Sequence, residues 1–107
     1  MAITIPGKSK DYNFEGPYRL TTSLNDLSGV YAIISARNNG NFIIDVGESS
    51  AVKTRIENHD RKDCWERNRQ SGEVKYAVYY TPGLTQEERR KIEKDIRDKN
   101  VIPCGSQ

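Results

Sequence analysis

The sequence predicts a single α+β domain in which helices flank a three-stranded antiparallel sheet. Three observations carry this expectation. The chain has 107 residues, enough for one modest core and too few for two. Three segments are rich in β-branched and aromatic residues, and the segments between and after them carry apolar residues at helical spacing. No internal repeat, low-complexity tract or linker interrupts the sequence, so residues 1–107 are expected to form one unit.

The N-terminal segment, residues 1–26, mixes short apolar stretches with Pro6, Gly7, Gly16 and Pro17. Proline and glycine interrupt helices and are uncommon in the interior of sheets. The pattern therefore predicts irregular structure or short edge strands, and we expect an irregular N-terminal extension.

The first two predicted strands form a hairpin. Gly29–Ile34 and Phe42–Gly47 are rich in β-branched and aromatic residues. Between them, Asn38–Asn41 supplies residues that tolerate a positive φ, as hairpin turns require. The two strands are expected to pair antiparallel.

The residues after this hairpin predict two short helices. Ser49 or Ser50 can cap a helix that buries Val52 and Ile56, which are four residues apart. The same helix is expected to continue as far as the only histidine. The apolar period then fails, and Trp65 fits a second short helix better.

The C-terminal third predicts one more strand and one more helix. Val74–Thr81 is rich in valine and tyrosine and reads as the third strand. Thr85, with Glu88 three residues later, forms a capping box. Ile92 and Ile96 then supply the buried stripe of a last helix.

Charge alone does not identify a partner. The formal net charge is +2, whereas nucleic-acid-binding domains usually carry a clustered basic face. Residues 53–69 contain six Lys or Arg against four Asp or Glu, a mild basic bias that a solvated helix surface also shows.

The sequence predicts a cytoplasmic protein without a membrane segment. Its longest apolar run, Val30–Ile34, is far shorter than a membrane span, and the N-terminus lacks the pattern of a signal peptide. Cys64 and Cys104 are therefore expected to be reduced thiols. With His59 they are too few for a closed zinc site.

Four segments, in this order, resemble the GIY-YIG nuclease domain over roughly residues 27–105. They are Gly29-Val30-Tyr31, Asp45-Val46-Gly47, Val52–Ile56 followed by His59, and Glu93 with Ile96 before Pro103-Cys104. Each is weak alone, and their order and spacing carry the resemblance. The chain departs from the family at two positions: Asp45 replaces the tyrosine of the second tripeptide, and Gly105 stands where asparagine is common.

The resemblance implies a metal-dependent endonuclease that hydrolyses DNA phosphodiester bonds. It implies that Tyr31 helps to deprotonate the attacking water and that Arg55 stabilises charge on the phosphate. His59 would relay the proton from Tyr31. Glu93 would hold Mg²⁺ or Mn²⁺. Neither the target sequence nor the oligomeric state follows from the sequence.

Each of these residues also has a structural explanation. Tyr31 can pack in the core, and His59 can cap or pack near a helix end. Arg55 can pair with Glu57 or Asp60 on the helix surface. Glu93 can belong to a solvated helix face.

The alternatives for the whole chain follow from these explanations. One is a nuclease-fold module that binds nucleic acid without cutting it, and another is a domain in which all these residues are structural. Asp45 bears on the choice because it should lie beside Tyr31 on one face of the hairpin. There it either raises the pKa of Tyr31 and weakens the nuclease, or it serves as an additional metal ligand.

Overall fold

The structure is a computed structural model that describes residues 1–105. Its strands are β1 (Ala2–Pro6), β2 (Asp11–Tyr18), β3 (Gly29–Arg37), β4 (Gly40–Ser49) and β5 (Glu73–Tyr80). Its helices are α1 (Val52–Glu57), α2 (Lys62–Asn68) and α3 (Gln86–Lys99), with a short 3-10 helix at Thr21–Ser23. The strands form one antiparallel sheet in the order β1-β2-β5-β3-β4.

The expected three-stranded sheet is wrong, because the N-terminal residues add two strands to it. β1 is an edge strand, and β2 lies inside the sheet between β1 and β5. The missed signal is the alternation of polar and apolar residues in β2, which buries Tyr12 and Phe14. Pro6 ends the edge strand, and Pro17 lies where the register between β2 and β5 shifts. Sheets accept proline at such positions.

The predicted hairpin is confirmed as β3 and β4. Tyr31 lies opposite Gly47, and Ile33 lies opposite Asp45. A register shift after Ile33 leaves Ile44 as an extra residue in β4. β5 pairs with the other side of β3, which confirms the third predicted strand and places β3 inside the sheet.

Helices and loops cover both faces of the sheet. Alternate residues of a strand point to opposite faces. Residues 30, 32 and 34 of β3 pack in a cluster that includes Ile96 of α3. Tyr31 and Ile33 pack in a second cluster with Ile56 of α1 and Trp65 of α2. Tyr31 therefore projects towards the layer that carries the two short helices.

The first helix is shorter than expected. It buries Val52 and Ile56 as predicted, but its N-cap residue is Ala51 and no serine side chain caps it. It ends at Glu57, where the side chain of Asn58 donates a hydrogen bond to a carbonyl of the last turn at 2.9 Å. The expectation that His59 lies on this helix is therefore wrong, since His59 lies in the loop before α2.

The last helix begins as the sequence predicts. Thr85 and Glu88 form the reciprocal hydrogen bonds of a capping box, and Ile96 is buried. Among residues 1–105, none of the helices has the length and apolar character needed to cross a bilayer.

The two cysteines form a disulfide bond, so the expectation of reduced thiols is wrong in this structure. The bond joins Cys64 of α2 to Cys104 in the C-terminal segment, 40 residues later. Their Cα atoms are 6.0 Å apart, which is usual for a disulfide. The bond ties the C-terminal segment to the face of the sheet that carries Tyr31.

Candidate functional site

Tyr31 and His59 form the centre of the candidate site. The hydroxyl oxygen of Tyr31 lies 2.7 Å from Nε2 of His59. The tyrosine is 1% exposed, and its ring lies against the backbone of Gly47 on the neighbouring strand. A Cβ atom at position 47 would overlap the tyrosine hydroxyl, so the glycine of the second tripeptide leaves room for the phenol.

The other ring nitrogen of His59 has two neighbours. Nδ1 accepts the backbone N–H of Arg61 at 3.0 Å, and Oδ1 of Asp60 lies 3.3 Å away. When Nδ1 accepts from Arg61, Nε2 carries the proton and donates to Tyr31. When Nδ1–H faces Asp60, Nε2 accepts the proton of Tyr31. The Arg61 contact favours the first arrangement, and the second requires that this contact be broken.

Burial keeps both members of the pair neutral near pH 7. Burial raises the pKa of Tyr31 to about 12, a shift that Arg55 opposes and Asp45 reinforces. Burial lowers the pKa of His59 to about 4, and Arg55 and Arg61 lower it further by charge repulsion. The expected effect of Asp45 on Tyr31 is therefore confirmed in direction, with burial as the larger cause.

Asp45 is fully buried and accepts five hydrogen bonds. Arg61 donates two from Nε and Nη2, at 2.9 and 3.2 Å. Trp65 Nε1 donates at 2.7 Å, Arg97 Nη2 at 2.9 Å and the backbone N–H of Val46 at 2.8 Å. These bonds occupy the lone pairs of the carboxylate. In this conformation they leave no lone pair of Asp45 for a metal ion, which argues against the alternative of an additional metal ligand.

Arg55 and Glu93 reach the same region from different helices. Besides burial, charge on Arg55 lowers the pKa of Tyr31 and charge on Glu93 raises it, so both charges act on the phenol. Arg55 is 38% exposed and pairs with Asp60 at 3.2 Å. Glu93 accepts a hydrogen bond from Arg97 at 3.2 Å. The ion pair of Arg55 with Asp60, offered as its structural explanation, thus exists.

Glu93 supplies one carboxylate to this region. Burial raises its pKa, Arg97 lowers it, and the charge of Glu48 raises it again. Oε2 accepts from Arg97, while Oε1 accepts no hydrogen bond within residues 1–105. In the same residues, no three or more His, Cys, Asp or Glu side chains are grouped as metal ligands would be.

Gly105 completes the site at the C-terminus. Its φ is +90°, and a Cβ there would overlap the guanidinium of Arg97. Arg97 also donates to the carbonyl oxygen of Cys104 at 3.0 Å. The family that the chain resembles commonly has asparagine at this position. Here Gly105 has no side chain, and its backbone packs against the buried Arg97.

Sequence reasoning missed the partners of Asp45. Arg97 was visible only as a helical neighbour of Glu93, although it reaches a carboxylate 52 residues away. The sequence shows Arg61 only as one of several basic residues and Trp65 only as an apolar residue of a short helix. Neither pattern indicates a contact with Asp45. An aspartate inside an apolar strand is the signal that could have prompted a search for buried cations.

A groove elsewhere on the molecule involves none of the four candidate residues. It has a volume of about 630 Å³ and is lined by the edge strands β1 and β4 and by residues after α3. The candidate site is thus distinct from this groove. Compared with protein-family models, with curated proteins and with solved structures, the chain matches none of them.

Proposed function

We propose that this chain is a metal-dependent endonuclease that hydrolyses DNA phosphodiester bonds, as the GIY-YIG domain that it resembles does. The observation that carries the proposal is the 2.7 Å hydrogen bond between Tyr31 and His59. The charges of Arg55 and Glu93 both act on the pKa of Tyr31, which supports the proposal. A proton acceptor, a guanidinium and a carboxylate are the parts that phosphodiester hydrolysis needs.

The tyrosine and histidine would act as a proton relay. In the tautomer with the proton on Nδ1, which gives up the Arg61 contact for Asp60, Tyr31 would take a proton from the attacking water while its own proton passes to Nε2 of His59. Because the pKa of Tyr31 is raised to about 12, a relay through the neutral phenol is favoured over a free phenolate. Asp60, 3.3 Å from Nδ1, would stabilise the resulting imidazolium. Turnover should be slow, since an imidazole with a pKa of about 4 is a weak proton acceptor.

Arg55 and Glu93 would supply the charges around the phosphate. Arg55 is exposed enough to exchange its ion pair with Asp60 for two hydrogen bonds to a phosphate. Glu93 would hold Mg²⁺ or Mn²⁺ as a single carboxylate, with water and phosphate filling the other positions. When bound, this ion would neutralise charge on the leaving oxygen.

A cytoplasmic location belongs to the same proposal. A reducing cytoplasm keeps thiols reduced, whereas Cys64 and Cys104 are bonded in this structure. The oxidation state of this pair in cell extracts, measured by thiol labelling, therefore tests the location. Complete oxidation in freshly trapped extracts would argue against it.

Plasmid nicking tests the proposed activity. We expect supercoiled DNA to be nicked with Mg²⁺ or Mn²⁺ and to remain intact in EDTA. Glu93→Ala and Tyr31→Phe should abolish nicking, and Arg55→Lys should impair it strongly because lysine lacks the planar fork. Glu87→Ala, which removes an exposed carboxylate from the same helix, is the matched control. Full activity of Glu93→Ala would remove that residue from the site.

The alternative is a module that binds nucleic acid without cutting it. The burial of Tyr31, which leaves 1% of it exposed, is the observation that favours this reading. Salt-sensitive DNA binding without nicking in either metal would support the module and contradict the enzyme.

A further inference from the structure

Arg61 is a cation of the site that the family resemblance does not include. It is the N-cap residue of α2, and its backbone N–H donates to His59. Its side chain is 30% exposed and is held by Asp45 through Nε and Nη2. Within residues 1–105, Nη1 has no hydrogen-bond partner. The guanidinium is therefore anchored on one edge and open on another.

Asp45 holds this arginine beside the tyrosine. Ile33, opposite Asp45, lies two residues from Tyr31 on β3, so the carboxylate and the phenol share one face of the hairpin. The same carboxylate pairs with Arg97, whose side chain is 4% exposed. Arg97 also pairs with Glu93, so its charge is matched within the protein, and Arg61 is the more exposed of the two arginines that Asp45 holds.

We propose that Arg61 is a second phosphate-binding residue of the site and that Asp45 positions it. The inference deepens the proposed function and rests on it. In this chain the second tripeptide carries aspartate in place of tyrosine, and the exchange adds an anchored guanidinium next to Tyr31. Asp45 is thus a positioning residue, and its presence does not mean that the nuclease activity has been lost.

The electrostatics of the site agree with this arrangement. Both Arg55 and Arg61 lower the pKa of Tyr31 and of His59, so the two guanidinium groups lie near the relay pair. Arg55 is held by Asp60, which is exposed, and Arg61 by Asp45, which is buried. A phosphodiester bound between them would accept hydrogen bonds from Arg55, whose exposed ion pair can be exchanged, and from Arg61, which the buried Asp45 holds in place.

DNA binding without metal tests the phosphate contact separately from cleavage. The assay is the fluorescence anisotropy of a labelled DNA duplex in EDTA over a series of NaCl concentrations. Arg61→Gln should reduce the slope of log K against log salt by about 0.9, the value for one lost phosphate contact. Arg67→Gln is the matched control, because Arg67 is an exposed arginine on the same helix. Its slope should equal that of the wild type.

Cleavage in Mg²⁺ tests the role of Asp45. Arg61→Gln should lower the single-turnover rate roughly 100-fold, as removal of one charge-stabilising donor does. Asp45→Asn removes a negative charge, so general electrostatics predicts stronger DNA binding and faster cleavage. If Asp45 positions Arg61, the rate should fall instead, and the double variant should be no slower than Arg61→Gln. All variants are compared well below their melting temperatures.

The outcomes separate this inference from the proposed function. A wild type that cleaves, with Arg61→Gln equal to Arg67→Gln in slope and rate, overturns the role of Arg61 alone. A wild type that binds but never cleaves overturns the nuclease, while the slope of Arg61→Gln still decides the phosphate contact. A wild type that neither binds nor cleaves overturns both.

Discussion

Replacing Asp45 by asparagine measures how much stability the buried charge network supplies. The carboxylate is 0% exposed and accepts hydrogen bonds from Arg61, Trp65, Arg97 and the backbone of Val46. Asparagine has nearly the same shape, but it carries no charge. Its NH₂ group also presents donors to neighbours that are themselves donors.

The expected loss follows from what happens to the two arginines. Arg97 is 4% exposed and cannot regain water, whereas Arg61 is 30% exposed and can do so in part. Removing one partner of a buried ion pair costs about 3–5 kcal/mol. Because Arg61 is partly rehydrated, we expect a loss near the lower end, about 3 kcal/mol. For a domain of this size, that corresponds to a fall in Tm of roughly 12 °C or more.

The assay is urea and thermal denaturation followed by circular dichroism at neutral pH. Asp98→Asn is the matched control, since Asp98 is 36% exposed and pairs with Lys94 on the surface of α3. That variant should change the free energy of unfolding by no more than about 0.5 kcal/mol. An Asp45→Asn loss no larger than that of the control would refute the claim that this network depends on charge.

Three further predictions concern the ring pair, the glycine beside it and the disulfide. His59 is the only histidine, so its ring protons should titrate as one NMR signal with a midpoint near pH 4. Because its pKa in the folded state lies below the unfolded value of 6.5, its contribution should be constant above pH 6.5 and lost as pH falls towards 4. A midpoint of about 6 or higher would contradict its burial. Gly47→Ala should cost about 1–3 kcal/mol in urea denaturation, because the added methyl overlaps Tyr31. Unchanged stability would show that the hairpin opens without cost. Reduction of the Cys64–Cys104 bond, which spans 40 residues, should cost about 4 kcal/mol by the chain-entropy model. A wild type whose urea midpoint does not change with dithiothreitol and equals that of Cys104→Ser, which cannot form the bond, would contradict that contribution.

Sequence reasoning succeeded where the structural signal is local. The hairpin of β3 and β4, the strand β5 and the capping box of Thr85 with Glu88 each depend on residues close together in the chain. The buried stripe of α1 is a signal of the same kind. Local patterns of burial and turn chemistry determine such elements almost independently of the rest of the molecule.

The N-terminal strands show where local signals mislead. Pro6, Gly16 and Pro17 argued against a sheet, yet they lie at a strand end and at a register shift. β2 pairs with its neighbour β1, and its place inside the sheet comes from pairing with β5, more than 55 residues away, where Glu15 lies opposite Val78. A pairing at that distance leaves no mark in the residues of β2 apart from their alternation.

The residue pattern was enough to predict the α+β class and the hairpin that carries Tyr31, and it shows an unusual aspartate at position 45. The contacts of that aspartate follow from the folded molecule and not from the sequence. Its partners approach from Arg61, 16 residues later, and from Arg97, 52 residues later, and they meet at a carboxylate without solvent. The effect of a charge depends on its burial and on the charges around it, and long-range packing determines both.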